Sequence, residues 1–186
     1  MLRRLIPVLA CAFASVVLLS ACGGAQSAAT PDPARVSAAA SPTPSASAPV
    51  EDVFAERDRF FRDQQLGDGS TTLAAATPAQ KDFIAQQRVY LESQGAVWSP
   101  EYETIYLALT ADACETSILN GHDVDTTTVT THIQTSPLVA TILQDVASEQ
   151  RAAATANLAS VMVFGTGFLC PADAPQWEAA YAELFG

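Results

Sequence analysis

Basic residues are scarce in this chain: 9 Lys and Arg stand against 20 Asp and Glu in 186 residues, a formal net charge of −11. A surface of that sign repels nucleic-acid phosphates and anionic lipid headgroups, which argues against DNA or RNA as a partner. Histidine is scarce too. His122 and His132 are the only two, and neither has companions at metal-ligand spacing. The Gly-His-Asp-Val-Asp stretch at 121–125 lacks the glycine and distal glutamate of a calcium loop, so no metal is expected. There is no Gly-x-Ser-x-Gly elbow, and Gly165-Thr166-Gly167 lacks the lysine and the spacing of a phosphate loop. No acid stands alone in an apolar segment, where burial would raise its pKa for acid catalysis. A non-enzymatic protein without a cofactor is the expectation. A small hydrolase working through carboxylates and a purely structural protein are the alternatives. Long apolar runs are also missing. The longest, Leu5 to Leu19, has 15 residues, short of the roughly 20 that span hydrocarbon. No useful stretch alternates with period 2, so the fold class predicted is all-α.

What is present begins at the N-terminus. Arg3 and Arg4 precede the apolar run, and small residues lead into Leu19-Ser20-Ala21-Cys22 followed by Gly23-Gly24. A positive flank, a short apolar stretch and a small-residue exit predict an export signal at 1–21. The Leu-Ser-Ala-Cys ending resembles the lipobox of bacterial lipoproteins. That resemblance implies cleavage before Cys22, lipid on Cys22, and a place on the outer face of the cell membrane, with the membrane as a partner through that lipid. An ordinary secretory signal is the alternative. Without residues 1–21 the chain keeps seven basic and all 20 acidic residues, a net charge of −13. Attachment then rests on acyl chains, and stable anchoring takes two of them, as a diacylglyceryl group supplies. Residues 22–50 read as the lipidated cysteine and a linker of Ala, Ser, Pro, Gly and Thr, with only Asp32 and Arg35 charged. Such a composition has too little large apolar surface to offset ordering entropy.

Residues 51–186 read as one helical domain of about five to seven helices, long enough to bury a core. Thr77-Pro78, Ser99-Pro100 and Ser136-Pro137 each place a hydroxyl at an N-cap and proline at N1. Gln80, three residues after Thr77, completes a capping-box pattern. Val50, Val53, Phe54, Phe60 and Phe61 form one apolar stripe; Phe83, Ile84 and Leu91 form another, with Gly95 at C′. Between 100 and 120, Tyr102, Ile105, Tyr106, Leu109 and Ala113 make one stripe, and Leu107, Ala111, Cys114 and Ile118 a second beside it. Only Glu101, Thr104, Ala108, Asp112 and Glu115 are left to face solvent, which places this helix in the middle of a bundle. Asn120-Gly121 ends it. Asp125 caps a short helix through Val129 and Ile133, preferred over a strand at 126–133. Residues 137–169 read equally as one helix or two, because Gly165 and Gly167 weaken the end. Trp177, Ala180, Tyr181 and Leu184 give a last amphipathic helix.

Of the four cysteines, Cys11 leaves with the signal and Cys22 takes lipid. Cys114 and Cys170 remain as an even pair in an oxidising setting, where a disulfide is the default. The Ala113–Gly121 segment, with Cys114, Leu119 and Gly121, and the later Gly167-Phe168-Leu169-Cys170-Pro171 are similar to a family of small exported actinobacterial proteins of unknown function. The likeness covers roughly residues 60 to 172. It implies a helical domain with two cysteines, lipid-anchored or secreted, and carries no catalytic residues over. This chain departs from it by the longer stretch before Cys114 and by a tail holding Trp177 and Tyr181.

Amphipathic rings are the remaining signal. Trp98, Tyr102, Tyr106 and Trp177 are the candidate ligand-binding residues, of a type that lines grooves and interfaces. Core packing is the competing reading. The partner expected is an envelope protein or a small apolar ligand.

Overall fold

The computed structural model describes residues 50–66 and 72–186. The expected signal segment, Cys22 and the expected linker up to residue 49 lie outside the described residues. Those described form seven α-helices and no strand: α1 (Val50–Asp63), α2 (Pro78–Ser93), α3 (Pro100–Leu119), α4 (Thr126–Thr135), α5 (Pro137–Leu143), α6 (Arg151–Leu169) and α7 (Ala174–Phe185), with a 3₁₀ turn at Ser148–Gln150. The run 126–133 is helical. Residues 137–169 are two helices, separated by a turn and the 3₁₀ segment.

Local chemistry sets most boundaries. The Thr77 hydroxyl accepts from the Gln80 N–H at 3.2 Å while Gln80 Oε1 accepts from the Thr77 N–H, closing the capping box. Asp125 accepts from the Thr128 N–H at 2.8 Å, and Ser136 from the Val139 N–H at 3.4 Å. Ser99 differs: its backbone is extended as an N-cap requires, but its hydroxyl caps nothing. Gly95 and Gly121 end α2 and α3 with φ of +78° and +67°, the left-handed conformation that glycine adopts without a Cβ penalty.

α3 runs through the centre. Leu109 and Ala113 belong to one apolar cluster with Val129, Val139, Met162 and Trp177; Tyr106, Leu107 and Cys114 belong to a second with Phe83, Ile84 and Leu169. α6 serves both clusters as well. Together with the 3₁₀ turn it spans Ser148–Leu169, the one helix among the described residues long and apolar enough to cross a membrane. Its place between the two clusters accounts for that composition. Gly165, expected to weaken the helix, sits inside it and faces Thr110, so that the α3 and α6 backbones come close. The Cys114–Cys170 disulfide, Cα atoms 5.8 Å apart, ties α3 to the residue after α6.

Two stripes need correction. On α1 the inward, half-buried residues are Val53, Glu56, Arg57, Phe60 and Phe61, with Gln64 just past its end, while Phe54 is 54% exposed. Polar pairing sets this register: the Arg57 guanidinium meets Glu115 of α3, and Gln64 Nε2 donates to the Leu169 carbonyl at 3.4 Å. On α3 the line expected in solvent is half-buried from Thr104 to Glu115, and Glu101 alone is exposed. Thr104 accepts from the Leu73 N–H and donates to the Leu73 carbonyl, and Asp112 accepts from the Ser136 hydroxyl at 2.7 Å. α3 is therefore half-buried on its polar side too.

Candidate functional site

The turn at Gly95 folds α3 back beside α2 and delivers Trp98 to the start of α3. Tyr102 and Tyr106 follow one and two turns later on one face. The three ring centroids form a near-equilateral triangle: 6.0 Å for Trp98–Tyr102, and 6.1 Å for both Trp98–Tyr106 and Tyr102–Tyr106. Tyr106 is buried at the back of this group, Trp98 is half-buried, and Tyr102 is open to solvent. Burial pushes the Tyr106 phenol above its ordinary pKa, helped by the phenols of Tyr102 and Tyr90. Tyr90, on α2, therefore belongs to the same neighbourhood and is itself 61% exposed. Three of the four expected ligand-binding residues are brought together.

Trp177 is not with them. It is fully buried in the other cluster, its indole N–H donating to the Ser117 hydroxyl at 2.7 Å and its ring meeting His132 edge-on. Trp177 is the one large side chain of α7 that is fully buried, and it anchors that helix in the core.

No family model, no curated protein and no solved structure matches this chain. The site stands on its own geometry.

Beside the rings, α2 and α6 enclose a groove of about 400 Å³ lined by Gln86, Gln87, Tyr90, Ser160, Val161 and Phe164. The exposed face of α2 carries a shallow, open depression bordered by Gln86, Val89 and Tyr90. The buried stripe of α2 reads Gln80, Phe83, Ile84, Gln87. Gln80 is legible in the sequence as the capping-box residue, whereas Gln87, further along the same stripe, is not singled out there.

The two histidines, for which the sequence offers no metal or catalytic companions, are both engaged in hydrogen bonds. His132 is buried, with Nδ1 2.8 Å from the Thr116 hydroxyl and Nε2 3.6 Å from Asp112. Burial pushes its pKa down against the opposing charge of Asp112. Ser136, Asp112 and His132 do not form a nucleophilic triad. The Ser136 hydroxyl donates to the carboxylate, so the imidazole is not placed to take its proton.

His122, in the left-handed conformation at φ 61°, bridges two helices. Its Nδ1 lies 2.9 Å from Asp173, just before α7, and its Nε2 lies 3.2 Å from Glu56 of α1. Burial disfavours the charged ring, but Asp173 and then Glu56 outweigh it and raise the pKa. Both ring nitrogens can donate only in the protonated form. A raised folded-state pKa contributes stability that is fully present below the unfolded value and lost as pH rises through the folded one. We expect His122→Gln to lower the thermal midpoint at about pH 5.5 and to change it little by about pH 8.5. Parallel pH series of wild type and variant check this; a deficit independent of pH would show that the bridge does not titrate. His132 has the opposite sign: its contribution is present above the unfolded value and lost as pH falls through its depressed one.

Proposed function

We propose that this chain is a lipoprotein held at the outer face of a cell membrane through lipid on Cys22. In this reading the helical domain is a non-enzymatic binding module for an envelope protein or a small apolar ligand. The observation that carries the binding part is the aromatic face where α2 meets α3. Tyr90 and Tyr102 are open to solvent, and Trp98 and Tyr106 back Tyr102. Rigid rings with one wet edge give contact area at little ordering cost. The acids support a binder over a carboxylate hydrolase, because each half-buried one has a structural partner. Glu103 accepts from the Ala75 N–H at 2.7 Å, Glu115 takes Arg57, and Asp112 takes Ser136. The anchor rests on Leu19-Ser20-Ala21-Cys22. A disulfide of the kind exported proteins keep accords with it.

One preparation tests both halves. Wild type and Cys22→Ala are made in an exporting host, and membranes are washed with carbonate. Wild type is expected in the membranes and the variant in the soluble fraction; a variant that stays with the membranes overturns the anchor. The soluble Cys22→Ala chain is then titrated with Nile red, a neutral apolar dye. Bound, blue-shifted emission that Tyr102→Ala weakens is expected, and its absence overturns the aromatic face as a binding surface.

A further inference from the structure

We propose that α1 is a strap that His122 clasps to the rest of the domain in acid and releases as the medium turns neutral to alkaline. The inference goes beyond the binding reading above and does not depend on it. Its first support is how lightly α1 is held. Among the described residues, each other α-helix buries at least one residue. Between Asp52 and Asp63, α1 buries none; its inward residues are all half-buried. Phe60 packs against the second apolar cluster, and the other inward contacts of α1 include the polar ones of Glu56 and Arg57. Elements with so few buried contacts open locally at small cost. A single side-chain clasp can then set how often α1 is docked.

That clasp is the His122 ring, which sits between two carboxylates. Nδ1 lies 2.9 Å and 3.1 Å from the two Asp173 oxygens, and Nε2 lies 3.2 Å from Glu56 of α1. Gln176 of α7 secures the loop, its Nε2 donating to the His122 carbonyl at 2.9 Å. Two further acids share the loop: Asp123 is exposed, and Asp125 accepts from the Thr128 N–H. Arg57 of α1 turns to Glu115 of α3 and to Asp58. Its guanidinium, raised further by the hydrogen bond to Glu115, stays charged throughout. The Arg57 contact therefore does not change with pH, and the His122 contact does.

The two carboxylates are unequal, and this decides which contact breaks. The Asp173 side chain is 5% exposed and the Glu56 side chain 42%. A protonated ring donates to both, whereas a neutral ring has one N–H and donates to one. The buried carboxylate is costly to leave without its donor, while Glu56 can turn to water. The remaining proton therefore stays on Nδ1, and the bare Nε2 lone pair faces Glu56. Loss of one proton undoes the link to α1 and keeps the link to Asp173. The sign follows from the raised pKa of His122: docking is favoured below the unfolded value and weakens as pH rises through the folded one. His132 has the opposite sign and acts elsewhere, between α4 and the Thr116 and Asp112 side chains of α3.

The test follows amide hydrogen exchange of the soluble Cys22→Ala chain between about pH 5.5 and about pH 8.5. Rates are expressed as protection factors, so that the intrinsic pH dependence of exchange cancels. Protection in α1 is expected to fall about threefold to fivefold over that range, the worth of one partly exposed ion pair. Protection in α3 and α6 should not follow it. Glu56→Gln should flatten the α1 profile and leave the titration of His122 against Asp173 visible in the ring nitrogen shifts. In the chain with Glu56 intact, those shifts should report the Nδ1–H form at about pH 8.5. Protection in α1 that moves in step with α3 and α6, or rises with pH, overturns the proposal. So does a slope that survives Glu56→Gln, or a neutral ring with its proton on Nε2.

Discussion

Replacing both bridged cysteines, Cys114→Ala with Cys170→Ala, is expected to lower the unfolding free energy by about 4 kcal/mol. The bridge closes a loop of sequence separation 56, and in the chain-entropy account that closure is a restriction on the unfolded chain. The native side adds to the effect. Cys114 is fully buried among Phe83, Ile84, Leu107 and Leu169, so the bridge is packed as part of the second cluster. The double variant is the right comparison, because a single replacement leaves a free thiol inside that cluster. Against the roughly 5–15 kcal/mol that holds an ordinary domain together, such a loss leaves the fold marginal. Urea unfolding of both proteins, compared by midpoint and slope, measures it. A shift worth less than about 1 kcal/mol would mean that packing alone fixes α3 against α6.

Gly165→Ala is expected to destabilise by about 1–2 kcal/mol, although alanine is the better helix former. Two effects compete. Within a helix the exchange is favourable by up to about 1 kcal/mol. Here the new Cβ would lie 2.0 Å from Thr110 Oγ1 and 2.6 Å from its Cγ2, between two buried residues. Overpacking of that kind costs about 1–3 kcal/mol or more, because the core has no free volume to take up the shift. Steric cost wins. Gly167 is the internal control, since nothing lies within 4 Å of a Cβ there, and Gly167→Ala should stabilise by up to about 1 kcal/mol. Two glycines two residues apart in one helix thus give opposite signs. Adding Thr110→Ala to Gly165→Ala should recover part of the loss, since it removes the two closest atoms. Chemical unfolding of the three variants decides, and equal effects at 165 and 167 would refute the close-approach account.

Those two glycines also mark how far the sequence could be read. The hydroxyl–proline pairs before α2, α3 and α5, Asn120-Gly121 after α3, and the even cysteine pair are local signals. The all-helical, bridged domain followed from them. The role of Gly165 depends on Thr110, 55 positions earlier, and no spacing rule connects the two. The register of α1 was misread for a related reason. Glu56 and Arg57 look like surface residues until His122 and Glu115 are placed opposite them, and with the polar pair inward, Phe54 turns out. The break between α5 and α6 at Gln144–Gln150 contains neither glycine nor proline, so composition gave no notice of it. At the candidate site, Trp98, Tyr102 and Tyr106 could be joined by helical spacing alone. Trp177 shared their chemistry but not their place, which only tertiary packing determines.

The bridge has a mechanical side as well. A pull between the two ends of the domain would unravel α1 and α2 from one side and α7 from the other. It would stop at Cys114 and Cys170, because the stretch they enclose carries no tension once the covalent path bypasses it. About 190 Å of contour is thereby removed from what force can extend. α4, α5, α6 and the last turn of α3 lie inside that shielded stretch, whereas α2, with Gln87 and Tyr90, lies in the part that yields.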